Sequence, residues 1–97
     1  MIALTPEASA QVEALEKFYI EKERPQALRN LGHALAEASL IILNAPERGR
    51  PAPRPYPELS ILAFLWLKRG RYWIAYDLVG PVIAGVFFDT DDIPNRI

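Results

Sequence analysis

The chain has 97 residues, of which 51% are hydrophobic and 24% charged, a balance that supports one small core and excludes wholesale disorder. It contains no cysteine and a single histidine, which excludes a disulfide framework, a thiolate nucleophile and any site that needs two imidazoles. The net charge of −1 conceals a polarised distribution: residues 1–47 carry −3, residues 48–71 carry +5 and residues 72–97 carry −3. A basic middle between acidic ends suits an acidic partner better than it suits general or sequence-specific binding of nucleic acid. The longest apolar stretch, Leu59 to Leu67, spans nine residues, far short of the roughly 18 needed to cross a bilayer. The opening Met1-Ile2-Ala3-Leu4-Thr5 does not read as a signal peptide. The expectation is a soluble, cytoplasmic, single domain over residues 1–97 with no membrane contact.

The first helix is well punctuated. Thr5 is a good N-cap, Pro6 suits the first helical position and Glu7 suits the first turn. Ala8, Val12, Leu15 and Tyr19 then fall at helical spacing with Phe18 beside them, and Glu13 and Lys17 form an i,i+4 pair in the favourable orientation. The helix is expected to stop before Pro25, whose predecessor avoids the helical region. A second helix starts at Pro25, with Leu28, Leu31, Leu35, Ala38 and Ile42 as its buried stripe and Ala34 and Ile41 alongside. Gly32 costs about 1 kcal/mol relative to alanine there and is expected to admit the first helix at close range. Asn44 and Pro46 end the second helix, and the short loop between the helices makes them an antiparallel hairpin.

Pro51, Pro53, Pro55 and Pro57 follow at alternate positions. Proline fixes its own φ and restricts its predecessor, so this connector is expected to be extended and stiff, a rigid crossover carrying Arg50 and Arg54. Leu59 to Leu67 is apolar on both parities, as in a strand buried on both faces, although leucine and alanine also suit a helix. Lys68-Arg69-Gly70 reads as a turn, Arg71 to Leu78 as a strand rich in aromatic and branched residues, Val79-Gly80-Pro81 as a turn, and Val82 to Phe88 as a last strand. Alternation there puts Val82, Ala84, Val86 and Phe88 on one face and Ile83, Gly85 and Phe87 on the other. Short turns imply an antiparallel meander, to which Ile2-Ala3-Leu4 adds one short strand. The fold class is therefore α+β: an N-terminal antiparallel helical hairpin packed on a three- to four-stranded antiparallel sheet.

Several residues invite a functional reading. His33 lacks convergent partners and reads as a surface residue bonded to Glu37. Asp89, Asp91 and Asp92 alternate as in calcium loops, but without the further oxygen ligands such loops need. They read as solvated charges or a contact with a basic group, and no metal or cofactor is expected. Arg48, Arg50, Arg54, Lys68, Arg69 and Arg71 form a basic cluster by sequence region, either solvated turns or an anchor for an acidic partner. Tyr72 and Tyr76 share one parity and read as core rings with their hydroxyls at the edge, or as groups on an open face. Phe64, Trp66 and Trp73 are a dense aromatic set for a small sheet, to be covered either by a partner segment that folds on binding or by a second copy.

Taken together, Leu4-Thr5-Pro6-Glu7-Ala8, the helical hairpin, the Pro46…Gly49-Arg50 connector, Gly70-Arg71-Tyr72-Trp73-Ile74-Ala75-Tyr76 and the final Val86-Phe87-Phe88-Asp89 resemble the ParE/RelE superfamily. Its members are toxins of type II toxin–antitoxin modules, also called plasmid stabilisation proteins. The resemblance implies a cognate antitoxin protein as partner and one of two mechanisms. RelE-like members cleave messenger RNA on the ribosome; here that would fall to Arg69, Arg71 and Tyr72 or Tyr76. ParE-like members poison DNA gyrase by binding. The segment Phe88-Asp89-Thr90-Asp91-Asp92-Ile93 carries three aspartates where ribonuclease members commonly carry histidine and arginine, and carboxylates repel phosphate. The resemblance therefore favours the ParE-like branch, with no catalytic residues and with Arg50, Arg54, Trp66, Arg69, Arg71 and Tyr72 as candidate partner contacts. A relative that binds antitoxin without toxicity is the third alternative.

Overall fold

A computed structural model describes residues 1–97. Helix α1 (Pro6–Glu21) starts at Thr5, whose hydroxyl accepts a hydrogen bond from the Ala8 amide at 3.1 Å. It ends at Lys22 and the left-handed Glu23, and α2 (Pro25–Asn44) begins at the expected proline. The buried side of the pair is Ala8 and Tyr19 from α1 with Leu31, Ala34, Leu35, Ala38 and Ile42 from α2. Two local expectations fail. Glu13 and Lys17 do not close an ion pair, as is common for exposed helical pairs. Gly32 faces open space, and an added Cβ there would meet nothing within 4 Å. It therefore admits no close approach of α1.

The sheet is an antiparallel meander of β1 (Leu65–Arg69), β2 (Tyr72–Asp77) and β3 (Val82–Phe88), in the order β1-β2-β3. Gly70 and Arg71 form a two-residue turn between β1 and β2, with Gly70 at φ +56°, a conformation that disfavours any side chain. The helical hairpin covers one face, where Leu67, Tyr72, Ile74, Tyr76, Ile83 and Val86 meet it. The architecture is thus α+β, with two helices packed on a three-stranded antiparallel sheet.

Alternation along β3 breaks at a bulge. Ala75 pairs with Gly85 but Tyr76 pairs with Ile83, leaving Ala84 as the extra residue. One inserted residue reverses the facing of everything beyond it. Ile83 therefore joins Val86 and Phe88 on the helical side, where parity alone had placed Val82 and Ala84. The bulge also exposes Ile83 to the N-terminal segment: the Ile83 amide donates to Ala3 and the Thr5 amide donates to Ile83, both at 2.9 Å. The expected extra strand is thus a single parallel bridge, Leu4 to Ile83.

The region before β1 departs most from expectation. The proline-rich connector runs through bends and turns, and Pro57–Leu62 is a 3-10 helix, not a strand. Pro57 opens that helix because its φ is already helical and its missing amide donor is not needed there. Leu59 and Leu62, three residues apart, eclipse on one side and pack under the sheet, while Ile61 is 86% exposed. Ala63, in the left-handed conformation, ends the turn and leads into β1. This layer and the C-terminal helix α3 (Ile93–Arg96) cover the second face of the sheet, where Leu59 and Ile93 meet Trp66, Trp73, Ala75 and Phe87. No helix is long and apolar enough to cross a membrane.

Ile74, at the centre of β2 and wholly buried, is expected to lose about 3 kcal/mol of stability on Ile74→Ala substitution. Removing the cap by Thr5→Ala should cost about 1 kcal/mol. Urea denaturation followed by circular dichroism measures both, and equal losses would contradict this assignment of core and cap.

Candidate functional site

The basic cluster divides into two places. Arg48, Arg50, Arg54, Lys68 and Arg69 line one shallow cleft of about 530 Å³ along the outer edge of β1, floored by Trp66, Leu67 and Trp73. Backbone pairing builds it. Arg50 and Trp66 exchange two hydrogen bonds, at 2.9 and 2.7 Å, which lay the connector against the strand edge. Tyr76 holds the approach to it: its hydroxyl donates to the Pro46 carbonyl at 2.5 Å and accepts from the Gly49 amide at 3.0 Å. Gly49 has to be glycine, since a Cβ there would lie 2.6 Å from the Tyr76 oxygen. Burial raises the Tyr76 pKa, and the Gly49 amide opposes that shift.

No acidic residue lines this cleft. Arg48, Arg50, Arg54 and Arg69 make no ion pair, and Lys68 reaches only Asp89, at 3.8 Å. The Lys68 ammonium also stands 5.7 Å from the centre of the Trp73 ring. Two N–H groups of lining residues, Arg69 Nε and Trp66 Nε1, are buried without an acceptor. Like-signed charges held this close raise the local positive potential, which attracts anions and anionic protein segments.

Arg71 lies elsewhere. From the β1–β2 turn it grips Asp89 through Nε at 2.8 Å and a terminal nitrogen at 3.1 Å, with its guanidinium 4.8 Å from the centre of the Phe88 ring. Hydrogen bonding to Arg71 holds the Asp89 carboxyl below the usual carboxylate range, and the same pairing raises the Arg71 pKa. Arg71 is thereby already matched within the chain. It borders a different groove, of about 680 Å³, between the β1–β2 turn and the helices. The cross-strand geometry carries the missed signal: the Asp89 amide donates to the Arg71 carbonyl at 2.7 Å, so residues just beyond the Tyr72–Phe88 pair face each other.

The remaining candidates are buried or committed. Trp66 is fully buried in the second core and offers no ring to a partner, because the 3-10 layer and α3 cover the sheet face that was expected to stay open. Tyr72 is buried on the helical face, its hydroxyl 2.5 Å from that of Tyr19. Burial, reinforced by that hydrogen bond, pushes its pKa far above the ordinary tyrosine value. It therefore holds its proton at neutral pH and is a poor base. His33 is exposed and makes no hydrogen bond to Glu37. The three aspartates have separate partners: Asp89 takes Arg71, Asp91 accepts from the Phe88 amide and stands 3.8 Å from Arg96, and Asp92 accepts from the Asn95 side chain.

The Tyr19–Tyr72 pair should behave as a coupled unit. Tyr72→Phe alone leaves a buried hydroxyl without its partner and should cost about 1–2 kcal/mol, whereas the double Tyr19→Phe/Tyr72→Phe variant should cost less than the two single losses combined. The raised Tyr72 pKa adds a pH signature. The folded chain keeps a proton that the unfolded chain releases near pH 10. Stability is therefore complete below about pH 10 and falls as pH rises above it, and Tyr72→Phe should make that fall shallower. Urea melts from pH 8 to 11 measure this, and an unchanged slope in Tyr72→Phe would contradict it.

Neither a family model nor a curated protein matches this chain, which leaves its fold and its charges as the basis for a functional reading.

Proposed function

We propose that this chain is a toxin-like partner protein of the ParE/RelE type, one that acts by binding and is held in check by a cognate antitoxin, with DNA gyrase as the target of the ParE-like branch. The observation that carries the reading is the gathering of Arg48, Arg50, Arg54, Lys68 and Arg69 in one cleft with no acid among its lining residues. Such a surface binds anions and acidic protein segments. The element order supports the same reading: a helical hairpin, then a three-stranded meander whose last strand is bridged by the N-terminal segment.

The ribonuclease alternative finds less support. Attack of a ribose hydroxyl on phosphate needs a proton acceptor beside cationic groups. The cleft lining holds no carboxylate, histidine or tyrosine. Tyr72 and Tyr76 project to the helical side, and although Tyr72 pairs directly with Arg69 across the strands, both hydroxyls are already bonded, that of Tyr72 to Tyr19 and that of Tyr76 to Pro46 and Gly49. Arg71 is neutralised by Asp89. A binding protein needs none of these groups to be free.

Induction of the protein alone in a bacterial host, with growth and a DNA-damage reporter followed together, tests the reading. Growth arrest with the reporter switched on is the expected result. Arrest without the reporter, accompanied by cleaved transcripts, would replace it with the ribonuclease. Normal growth with soluble protein accumulating would exclude toxicity in that host and leave the antitoxin-binding relative. Arg50→Glu/Arg54→Glu, both exposed positions, should weaken the arrest while the fold remains intact by circular dichroism.

A further inference from the structure

The cationic cleft has a more specific property than its charge. We propose that it is a receptor for a short chain of phosphates, such as free triphosphate or the triphosphate of a nucleotide. This inference concerns the same cleft that carries the toxin reading but assigns it a small anion, and the titration below and the growth assay above test the two separately.

Three observations carry it. First, the four arginines of the cleft have no carboxylate partner, and the one ion pair of Lys68 is to an Asp89 that Arg71 already holds. Second, the Arg69 side chain lines the cleft, is partly exposed and makes no hydrogen bond or ion pair within the chain. A charged donor group left without acceptors loses free energy that a ligand supplying them would restore. An oxyanion in the cleft would give the Arg69 guanidinium the acceptor that the protein does not supply. Third, the cations sit on restrained backbone. Arg50 is paired on both sides of its peptide with Trp66, Gly49 is held by Tyr76, and Pro51, Pro53 and Pro55 alternate with the residues around Arg54. A site built before its ligand arrives loses less free energy to ordering on binding.

The size and density of the charge select the ligand. The cleft, at about 530 Å³, lies in the ordinary range of small-molecule sites. In an extended acidic peptide, successive side chains rise about 3.3 Å apart and point to opposite faces, so only alternate carboxylates would enter. A triphosphate presents its oxygens on adjacent phosphorus centres, and guanidinium groups match phosphate through paired hydrogen bonds. The rings of Trp66 and Trp73 are buried and leave little aromatic surface for a base to stack on. The phosphates therefore supply the recognition.

Isothermal titration calorimetry of the full chain tests this, with sodium tripolyphosphate, ATP and adenosine as separate probes at about 150 mM salt. One tripolyphosphate should bind per chain, and adenosine should not bind. Arg69→Gln and, independently, the exposed Arg54→Gln should each weaken tripolyphosphate binding about tenfold. Arg29→Gln, on α2 and outside the cleft, should leave it unchanged. The Arg69 Nε–H signal in ¹H–¹⁵N spectra should shift on saturation as the exposed end of the same guanidinium gains acceptors. Equal affinity for ATP identifies the phosphates alone as the ligand, and tighter ATP binding identifies a nucleotide. No saturable binding, or binding that Arg54→Gln and Arg69→Gln both leave intact, would overturn the proposal. So would an oligonucleotide or a glutamate-rich peptide that binds far more tightly than tripolyphosphate, since either would reassign the cleft to a macromolecule.

Discussion

Strand β2 is buried along nearly its whole length: Tyr72, Trp73, Ile74, Ala75 and Tyr76 all lie inside. A strand in that position has to be covered on both faces. A three-stranded sheet with one bare face would leave Trp66, Trp73 and Phe87 in water, at a cost of about 1.5–3 kcal/mol for each large side chain. The helical hairpin covers one face. The stretch from Ala52 to Phe64, together with Ile93 of α3, supplies the other cover. Much else in the molecule follows from that need for a second layer, including the turns after α2, the 3-10 helix and the short C-terminal helix.

The cleft is a by-product of the same arrangement. To reach the second face, the chain leaves α2 and passes the outer edge of β1, where the Arg50–Trp66 hydrogen bonds catch it. Those bonds protect an otherwise open strand edge and at the same time bring the connector arginines beside Lys68 and Arg69. The other sheet edge is protected independently, by the Leu4 bridge and by Gln11, whose side-chain oxygen accepts from the Val86 amide at 2.8 Å. Buried hydroxyls complete the frame. Tyr76 ties the end of the helical layer to the connector, and Tyr72 ties the sheet to α1 through Tyr19.

Electrostatically, the molecule keeps its two sets of charges apart. Asp89 and Arg71 satisfy each other at the end of the β2–β3 ladder, and Asp91 and Asp92 serve the turn and helix that follow. The acidic C-terminal segment thus meets the cleft only through the 3.8 Å approach of Lys68 to Asp89. The connector arginines remain available to an external anion, and this availability underlies both the partner-binding reading and the phosphate-receptor inference.

The sequence by itself determined the elements whose signals are local. Thr5-Pro6-Glu7 and Pro25 mark the helix starts, apolar spacing marks their buried stripes, and Gly70 and Gly80-Pro81 mark the turns of the meander, because caps, φ restriction and periodicity act within a few residues. That Tyr72 and Tyr76 share one face was legible for the same reason, while that the helices cover this face was settled only by the packing. What depended on distant contacts was decided only in three dimensions. Pro57 permits a helical start before Leu59 without requiring one; the need to cover Trp66 and Trp73 selects the 3-10 layer over a buried strand. Gly85 beside Ala84 hints at an irregularity in the strand, but its place is fixed only by the pairing of Tyr76 with Ile83 and of Ile83 with Ala3 and Thr5. The basic cluster was visible as a run of charge, but Arg71 left it for Asp89 and Trp66 sank into the core. A linear sequence states how many charges a region carries, whereas long-range pairing sets which of them a partner can reach.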